Sequence, residues 1–170
     1  MKRILVTGNA GSGKSTAASR IAGMLGLPCH GLDRIVWQSG WRKTPVEERE
    51  RRIGGLVRQE AWVIDGVSAQ LQSVADVVVF LDLGRRDCFL RAWRRNRHYL
   101  FRSRPKLPPG CPEWRIIPTL CRIIWNFPAK VRPRILAQAG SSRRFFHVKN
   151  DAELESCLAE LGATAAAGER

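Results

Sequence analysis

The feature that most constrains this chain is the segment GNAGSGKST, residues 8–16, which follows the short apolar run Ile4-Leu5-Val6. The segment fits the pattern G-x-x-x-x-G-K-[ST] at Gly8, Gly13, Lys14 and Ser15. Glycines at these positions permit a tight turn whose backbone N–H groups point inward, at the positive end of the following helix. The sequence therefore predicts a buried strand, a phosphate-binding loop and a helix, in that order.

The groups of a nucleoside triphosphate each have a candidate partner in this loop. The Lys14 ammonium group would reach the β- and γ-phosphates, and the Ser15 hydroxyl would ligate Mg²⁺. We therefore expect ATP and Mg²⁺ as cofactors. The residues predicted to hold the nucleotide are Gly8, Ala10, Gly11, Ser12, Gly13, Lys14, Ser15 and Thr16.

Length and composition limit what the loop can serve. The 170 residues, of which 44% are hydrophobic, suffice for one domain with a single core, which we predict over residues 1–170. No stretch approaches the ~18 apolar residues of a membrane span, and the first apolar run is too short for a signal peptide. Five cysteines without C-x-x-C spacing indicate reduced thiols. We expect a cytoplasmic protein without a membrane partner, and the oligomeric state stays open.

The positive charge is concentrated in one third of the chain. Residues 85–144 hold 16 Lys and Arg against two acids, Asp87 and Glu113, whereas the remaining residues are balanced. The whole net charge of +14 therefore lies in this segment. Such a field attracts polyanions, and nucleic acid and nucleotide phosphates are equally consistent with it.

Three acids follow predicted strands near the phosphate loop. Asp33, after a short strand at 27–31, either addresses the acceptor hydroxyl of a phosphotransfer reaction, or it caps a helix or is a solvated loop residue. Asp65 ends a strand at 61–65, where a carboxylate suits Mg²⁺ coordination. Asp82 ends a fully apolar strand and is the alternative metal ligand, although a capping role for the next helix explains it as well.

A helix predicted at 86–99 carries Arg91 and Arg95, which are four residues apart and share one face. Two guanidinium groups on one face repel each other unless an anion lies between them, which favours a phosphate partner. Trp37 and Trp41, earlier in the chain, form either a wall of an acceptor pocket or part of the core.

The basic, proline-punctuated segment 100–140 is where a lid that closes over nucleotide would lie. Within it, residues 102–110 lack periodicity and are predicted to form a loop. Helices are predicted at 113–126 and 129–139, the second starting after Pro128 and interrupted by Arg132-Pro133-Arg134. A last strand at 145–148 and a helix from Asn150 or Asp151 to about residue 162 complete the chain.

The order of these features resembles the adenylate-kinase-like P-loop kinases over about residues 3–148. More narrowly, a bacterial group often labelled DNA topology-modulation protein is similar in the segments LDRIVWQSGW, VIDGV, FLDLGRRDCFLRAWRR, GCPEW and WNFPAKVRP. The resemblance implies a three-layer α/β P-loop NTPase fold with a five-stranded parallel sheet of order 2-3-1-4-5. It also implies likeness to nucleoside monophosphate kinases, with residues 100–140 as a basic helical lid.

The resemblance also suggests roles for three arginines. It implies that Arg91 lies against adenine, that Arg95 contacts phosphates, and that Arg132 in the lid stabilises charge on the transferred phosphoryl group. In adenylate kinases the Asp-Gly pair is followed by Phe-Pro-Arg, whose arginine holds the acceptor monophosphate. Here Val67-Ser68-Ala69 follow instead, and this departure speaks against AMP as the acceptor.

The sequence thus predicts an ATP- and Mg²⁺-dependent phosphotransferase, a P-loop kinase, for a small-molecule or nucleotide acceptor. Its predicted catalytic residues are Lys14, Asp33, Arg95 and Arg132; Arg91 would bind the nucleotide, and Ser15 and Asp65 the metal. The alternative is a nucleotide-regulated nucleic-acid-binding protein that affects DNA topology through residues 85–144. No helix-turn-helix or RNA-binding signature accompanies that charge, so such binding would be sequence-independent.

Overall fold

Short apolar segments form a parallel sheet in this computed structural model, which describes residues 2–101, 103, 108–142 and 144–168. The strands, in chain order, are β1 (Arg3–Gly8), β2 (Cys29–Gly31), β3 (Trp37–Gln38), β4 (Arg42–Lys43), β5 (Trp62–Asp65), β6 (Val77–Leu81) and β7 (Arg144–Val148). β3 and β4 form a separate antiparallel hairpin, and the other five make the parallel sheet. Residues 102 and 104–107 of the predicted loop, and Arg143 of the basic segment, lie outside the described residues.

The order of the five-stranded sheet is β2-β5-β1-β6-β7. Ile4 of β1 pairs with Val63 of β5 on one side and with Val77 of β6 on the other. The predicted order 2-3-1-4-5 differs in its numbering because the sequence analysis did not predict the β3–β4 hairpin. Each hairpin strand has only two residues, too few for an alternating hydrophobic pattern to show.

The helices flank the sheet. In the described part of the chain they are α1 (Lys14–Leu25), α2 (Asp33–Val36), α3 (Val46–Val57), α4 (Ala69–Val74), α5 (Arg85–Asn96), α6 (Glu113–Lys130), α7 (Arg132–Ala137) and α8 (Asp151–Gly168). Side chains alternate between the two faces of each strand. On one face Ile4 and Val6 pack with residues of α1 and α8, and on the other Leu5 packs with residues of α3 and α4. The result is the predicted α/β arrangement, with helices on both sides of a five-stranded parallel sheet.

The predicted helix break at Pro128 is wrong. α6 continues through Pro118 and Pro128 and ends at Lys130. A proline inside a helix removes one hydrogen bond and is normally costly. Here α6 buries Ile116, Ile124 and Phe127 against neighbouring elements, so tertiary packing keeps the helix continuous.

The C-terminal helix is longer than predicted. Asn150 caps α8 by accepting a hydrogen bond from the Glu153 N–H at 2.9 Å, and the helix reaches Gly168 rather than residue 162. The added turns contain Ala163, Thr164 and three further alanines, and alanine has the highest helix propensity. The sequence analysis gave this composition too little weight.

Two further properties bear on the expected surroundings of the protein. Among the described residues, no helix combines the length and apolar character needed to cross a lipid bilayer. All five cysteines are free thiols, and three of them are buried.

Candidate functional site

The segment 8–13 forms a loop between β1 and α1 that is closely packed from behind. A Cβ atom on Gly8 would overlap the carbonyl oxygen of Leu81 at the end of β6. A Cβ atom on Gly11 would overlap the carbonyl oxygen of Cys88 in α5. Glycine is therefore required at these two positions because the loop backbone lies directly against β6 and α5.

Gly13 has a different role. It precedes α1 with a left-handed φ of 96°, and a Cβ atom there would meet no close neighbour, the nearest atom being Nη1 of Arg91 at 3.7 Å. Here glycine is required by backbone conformation rather than by space. The open side of Gly13 faces Arg91, which places that arginine beside the loop.

Several polar groups of the loop have no partner in the part of the chain that the structure describes. The backbone N–H groups of Gly11, Gly13, Lys14 and Ser15 donate to no acceptor there. The Ser12 hydroxyl is buried and has no hydrogen-bond partner. Ser12 is the buried member of this cluster, and the first N–H groups of a helix have no internal acceptor, so the free donors match an acceptor-rich anion such as a phosphate chain.

Lys14 begins α1 and points back over the loop. Its Nζ donates a hydrogen bond to the Asn9 carbonyl oxygen at 2.6 Å. Burial lowers the pKa of Lys14, the carboxylates of Asp33 and Asp65 act in the opposite direction, and Arg95 lowers it further. The ammonium group thus lies within electrostatic reach of both acids and of Arg95.

Asp65 and Ser15 form the candidate magnesium site. The Ser15 hydroxyl donates a hydrogen bond to Oδ2 of Asp65, which lies at the end of β5, paired with Val6 of β1. A hydroxyl and a carboxylate oxygen are ligands that Mg²⁺ accepts. No group of three or more His, Cys, Asp or Glu side chains arranged for a metal occurs among the described residues. Mg²⁺ is usually bound by only one or two protein carboxylates together with substrate phosphates, so Ser15 and Asp65 fit this ion.

Asp33 lies at the same edge of the sheet. The preceding residue, Leu32, donates its N–H to the Asp65 carbonyl at 2.9 Å, which fixes the start of α2 next to the end of β5. Leu32, and not Asp33, occupies the cap position of α2, so the capping alternative is wrong. The Asp33 side chain is exposed, which fits both an acceptor-binding carboxylate and a solvated one.

Asp82, the alternative metal ligand, already contacts two basic side chains. Nε of Arg132 donates to its two oxygens at 2.8 and 3.0 Å, and Nε2 of His147 lies 2.7 Å from Oδ2. Gly84 rather than Asp82 caps α5. Arg132, the predicted lid arginine, is thereby held at the end of β6 by the Asp82 carboxylate.

Both predicted arginines of α5 lie near the loop lysine or Gly13: Nη1 of Arg91 would lie 3.7 Å from a Cβ atom on Gly13, and Arg95 lies within electrostatic reach of Lys14. Arg91 Nη2 contacts both carboxylate oxygens of Asp151, at 2.8 and 3.0 Å. Arg95 Nε donates to Oδ1 of Asn96 at 3.0 Å. The repulsion argument for an anion between the two arginines is therefore weaker, because Asp151 already balances Arg91.

The hairpin formed by β3 and β4 carries the two predicted tryptophans. Their rings meet edge to face with centroids 5.4 Å apart, and both residues are half-buried, outside the core clusters. Trp41 has a positive φ of 60°, which is strained for a bulky side chain, and its Nε1 donates to the Pro112 carbonyl at 2.8 Å. The hairpin is thus fixed to the start of α6 on the side of the site near α2.

Sequence reasoning missed Asn9. It is buried inside the phosphate loop, donates through Nδ2 to the Ile124 carbonyl at 3.1 Å, and accepts from the Ala10 N–H at 2.8 Å. The loop pattern allows any residue at this position, so the motif itself contained no signal for it.

Solved structures with the same architecture are found among kinases. The shikimate kinase of Acinetobacter baumannii, solved in complex with shikimate, is 17% identical with a TM-score of 0.59, covering 98% of this chain and 94% of that one. The shikimate kinase of Bacteroides thetaiotaomicron is 18% identical with a TM-score of 0.55, covering 96% and 97%. This chain has their fold. TT1252 from Thermus thermophilus is also similar, at 16% identity and a TM-score of 0.52, covering 95% and 96%.

The likeness to shikimate kinases concerns the fold and reaches over nearly the whole chain. No protein-family model matches the sequence, and no curated protein matches it. The narrower resemblance to the topology-modulation group therefore stays a prediction.

Proposed function

We propose that the protein is an ATP- and Mg²⁺-dependent phosphotransferase acting on a small-molecule or nucleotide acceptor. The observation that carries this proposal is a set of donors without a partner among the described residues, namely the backbone N–H groups at positions 11 and 13–15 and the buried Ser12 hydroxyl, next to Lys14 in sequence. A triphosphate supplies the acceptors that these donors lack. The shikimate-kinase-like fold supports the same reaction class.

In this proposal the loop holds the triphosphate and Lys14 exchanges its contact with the Asn9 carbonyl for phosphate oxygens. Ser15 and Asp65 hold the metal ion. Magnesium, when bound there, would supply positive charge that neutralises part of the charge of the phosphates. Arg91 and Arg95 add positive charge beside the loop, which stabilises negative charge that develops on the transferred group.

The acceptor would bind on the side of Asp33 and the β3–β4 hairpin. The Asp33 carboxylate, within electrostatic reach of Lys14, would orient the acceptor hydroxyl and receive its proton. Trp37 and Trp41 would form an aromatic wall of that pocket. Arg132 would serve the transferred phosphoryl group after leaving Asp82, and we keep residues 100–140 as the proposed lid.

A coupled assay for ADP tests the proposal. The protein is incubated with ATP and Mg²⁺, alone and with each of a panel of nucleoside monophosphates, shikimate and other hydroxylated metabolites. We expect ADP formation that depends on one acceptor class and stops when Mg²⁺ is chelated. Turnover that ignores every acceptor, or no turnover with any of them, would count against a kinase.

A second proposal is a nucleotide-regulated nucleic-acid-binding protein, favoured by one observation on α5 and α6. Trp93, Trp114 and Trp125 are 50–60% exposed, and the Arg85 guanidinium lies 4.7 Å from the ring centroid of Trp125. Exposed aromatic rings among arginines are typical of surfaces on which bases stack. Binding to single-stranded DNA at ~0.15 M salt, unchanged in Lys14→Ala and lost in Trp93→Ala with Trp125→Ala, would support it. No retention at that salt concentration would exclude it.

A further inference from the structure

The sequence places a proline where α6 would otherwise close a hydrogen bond. In an α-helix the carbonyl of each residue accepts the N–H of the residue four positions later. For Ile124 that residue is Pro128, which has no N–H. The helix therefore leaves the Ile124 carbonyl without its internal donor, although it remains continuous as far as Lys130.

The phosphate loop supplies the missing donor. Nδ2 of Asn9 donates to the Ile124 carbonyl at 3.1 Å, across 115 positions of sequence. Asn9 is 2% exposed and Ile124 is 1% exposed, so water does not compete at this contact. A buried carbonyl that lost this donor would be unsatisfied, which makes the contact more valuable than an exposed hydrogen bond.

The same asparagine organises the loop on its other side. Its Oδ1 accepts the Ala10 N–H at 2.8 Å, and its main-chain oxygen accepts Nζ of Lys14 at 2.6 Å and the Ser12 N–H at 3.3 Å. One residue thus joins α6, the loop backbone and the loop lysine. A shift of Asn9 would move the group against which Lys14 rests.

We propose that Asn9 is a positioning residue of the phosphate loop, and that Pro128 acts through it by freeing the Ile124 carbonyl. The carbonyl that Pro128 leaves without a helical donor becomes the acceptor that holds Asn9, and with it the loop, against α6. The ordering of the loop follows from these contacts alone, whereas the consequence for nucleotide affinity rests on the proposed function.

Hydrogen–deuterium exchange of the nucleotide-free full chain tests the ordering. Asn9→Ala removes the donor, and Pro128→Ala restores an N–H that competes for the Ile124 carbonyl. Pro118→Ala is the matched control, because exposed Pro118 removes the same kind of bond elsewhere in α6. We expect exchange of the hydrogen-bonded Ser12 and Thr16 N–H groups to rise about ten-fold in Asn9→Ala and about three-fold in Pro128→Ala, with no change in Pro118→Ala.

Global stability separates this role from simple support of the helix. Alanine has a far higher helix propensity than proline, so Pro128→Ala is not expected to lower the melting temperature even though the loop loosens. In the Asn9→Ala background Pro128→Ala should add nothing to loop exchange, since its effect passes through Asn9. Unchanged exchange in Asn9→Ala, or an additive effect in the double variant, overturns the proposal.

Calorimetry with ATP and Mg²⁺ then distinguishes this inference from the proposed function. We expect nucleotide affinity to fall about three- to ten-fold in Asn9→Ala, with Pro118→Ala like the wild type. If the wild-type protein binds no nucleotide but the variants show the exchange pattern above, the phosphotransferase proposal is overturned and the positioning role of Asn9 is supported. Wild-type nucleotide affinity in Asn9→Ala, together with unchanged exchange, would overturn the positioning role of Asn9 and leave the phosphotransferase proposal supported.

Discussion

The phosphate loop and the arginine-bearing helices differ in whether their polar groups already have partners. In the loop, backbone N–H groups and the Ser12 hydroxyl have no acceptor or donor within the described residues. By contrast, Arg91 of α5 contacts Asp151, and Arg132 of α7 contacts Asp82. Both regions were predicted to contact phosphate, but only the unpartnered backbone N–H groups and the Ser12 hydroxyl of the loop can do so without losing a protein partner. Lys14 must leave the Asn9 carbonyl, just as the two arginines must leave their carboxylates.

The difference shows that a preformed anion site and a positively charged segment are not equivalent. A donor without a protein partner adds its whole hydrogen bond with the ligand to the binding free energy. An arginine that leaves a carboxylate adds only the difference in free energy between its new and its old ion pair. The loop should therefore dominate nucleotide binding. The arginines should show their effect where new negative charge develops in the transition state. Four predictions, from the largest expected effect to the smallest, test this contrast.

Lys14→Ala should reduce turnover by at least about 10³-fold, because it removes the charged donor of the loop at the transferring phosphates. The melting temperature without nucleotide should stay within a few degrees of the wild type, since Nζ contacts a loop carbonyl rather than the core. The coupled assay and thermal unfolding measure the two quantities. A collapse of stability in the nucleotide-free variant would show that Lys14 supports the fold instead.

Arg132→Gln and Asp82→Asn break one ion pair from its two ends. If Arg132 moves to the phosphoryl group, Arg132→Gln should lower kcat by about 10³-fold or more. Asp82→Asn should leave kcat within about ten-fold while costing about 1–3 kcal/mol of unfolding free energy, because it removes a carboxylate oxygen that contacts both Arg132 and His147. Equal losses of kcat in both variants would assign Arg132 a structural role only.

Arg91→Gln and Asp151→Asn should change nucleotide affinity in opposite directions. Removing the guanidinium beside Gly13 is expected to weaken ATP binding about ten-fold, whereas removing its exposed carboxylate partner frees it for phosphate and should strengthen binding a few-fold. Calorimetry at low and at physiological salt measures both. If both variants weaken binding, the ion pair itself, rather than the free arginine, supports the site.

The smallest effect concerns pH. Burial lowers the pKa of Lys14 in the free protein, and bound phosphates favour the ammonium form and raise it again. Below the pKa of Lys14 in the free protein, the ammonium group is charged with or without ligand, so its titration does not make affinity change with pH. As the pH rises through that pKa, binding must take up a proton, and affinity should fall by at most about ten-fold per pH unit.

The matched control for this pH dependence is Lys14→Arg, because a guanidinium group does not titrate in this range. Calorimetry in buffers of different ionisation enthalpy should detect proton uptake by the wild type at alkaline pH. The Lys14→Arg variant should show no such uptake. Affinity that rises with pH in the wild type would contradict the placement of a buried ammonium group at the phosphates.

Local patterns predicted the elements that local chemistry controls. β1, the phosphate loop and α1 follow from a run of apolar residues, glycine spacing and the residues of the helix start. The prediction failed at Pro128, because the burial of Ile124 and Phe127 outweighs the local cost of proline. It also failed at the β3–β4 hairpin, whose two-residue strands are fixed by contacts with residues 109–112 rather than by their own pattern.

For the site, the sequence by itself determined the loop and the acids that end the parallel strands, since glycine spacing and strand ends are properties of neighbouring residues. Only the tertiary structure decided which side chains each of these acids contacts. It pairs Asp65 with Ser15 and commits Asp82 to Arg132 and His147. It also places Asn9 under the Ile124 carbonyl. These pairings join residues 50 to 115 positions apart, and a contact at such a separation depends on how helices pack on the sheet, which one sequence does not encode in any local pattern.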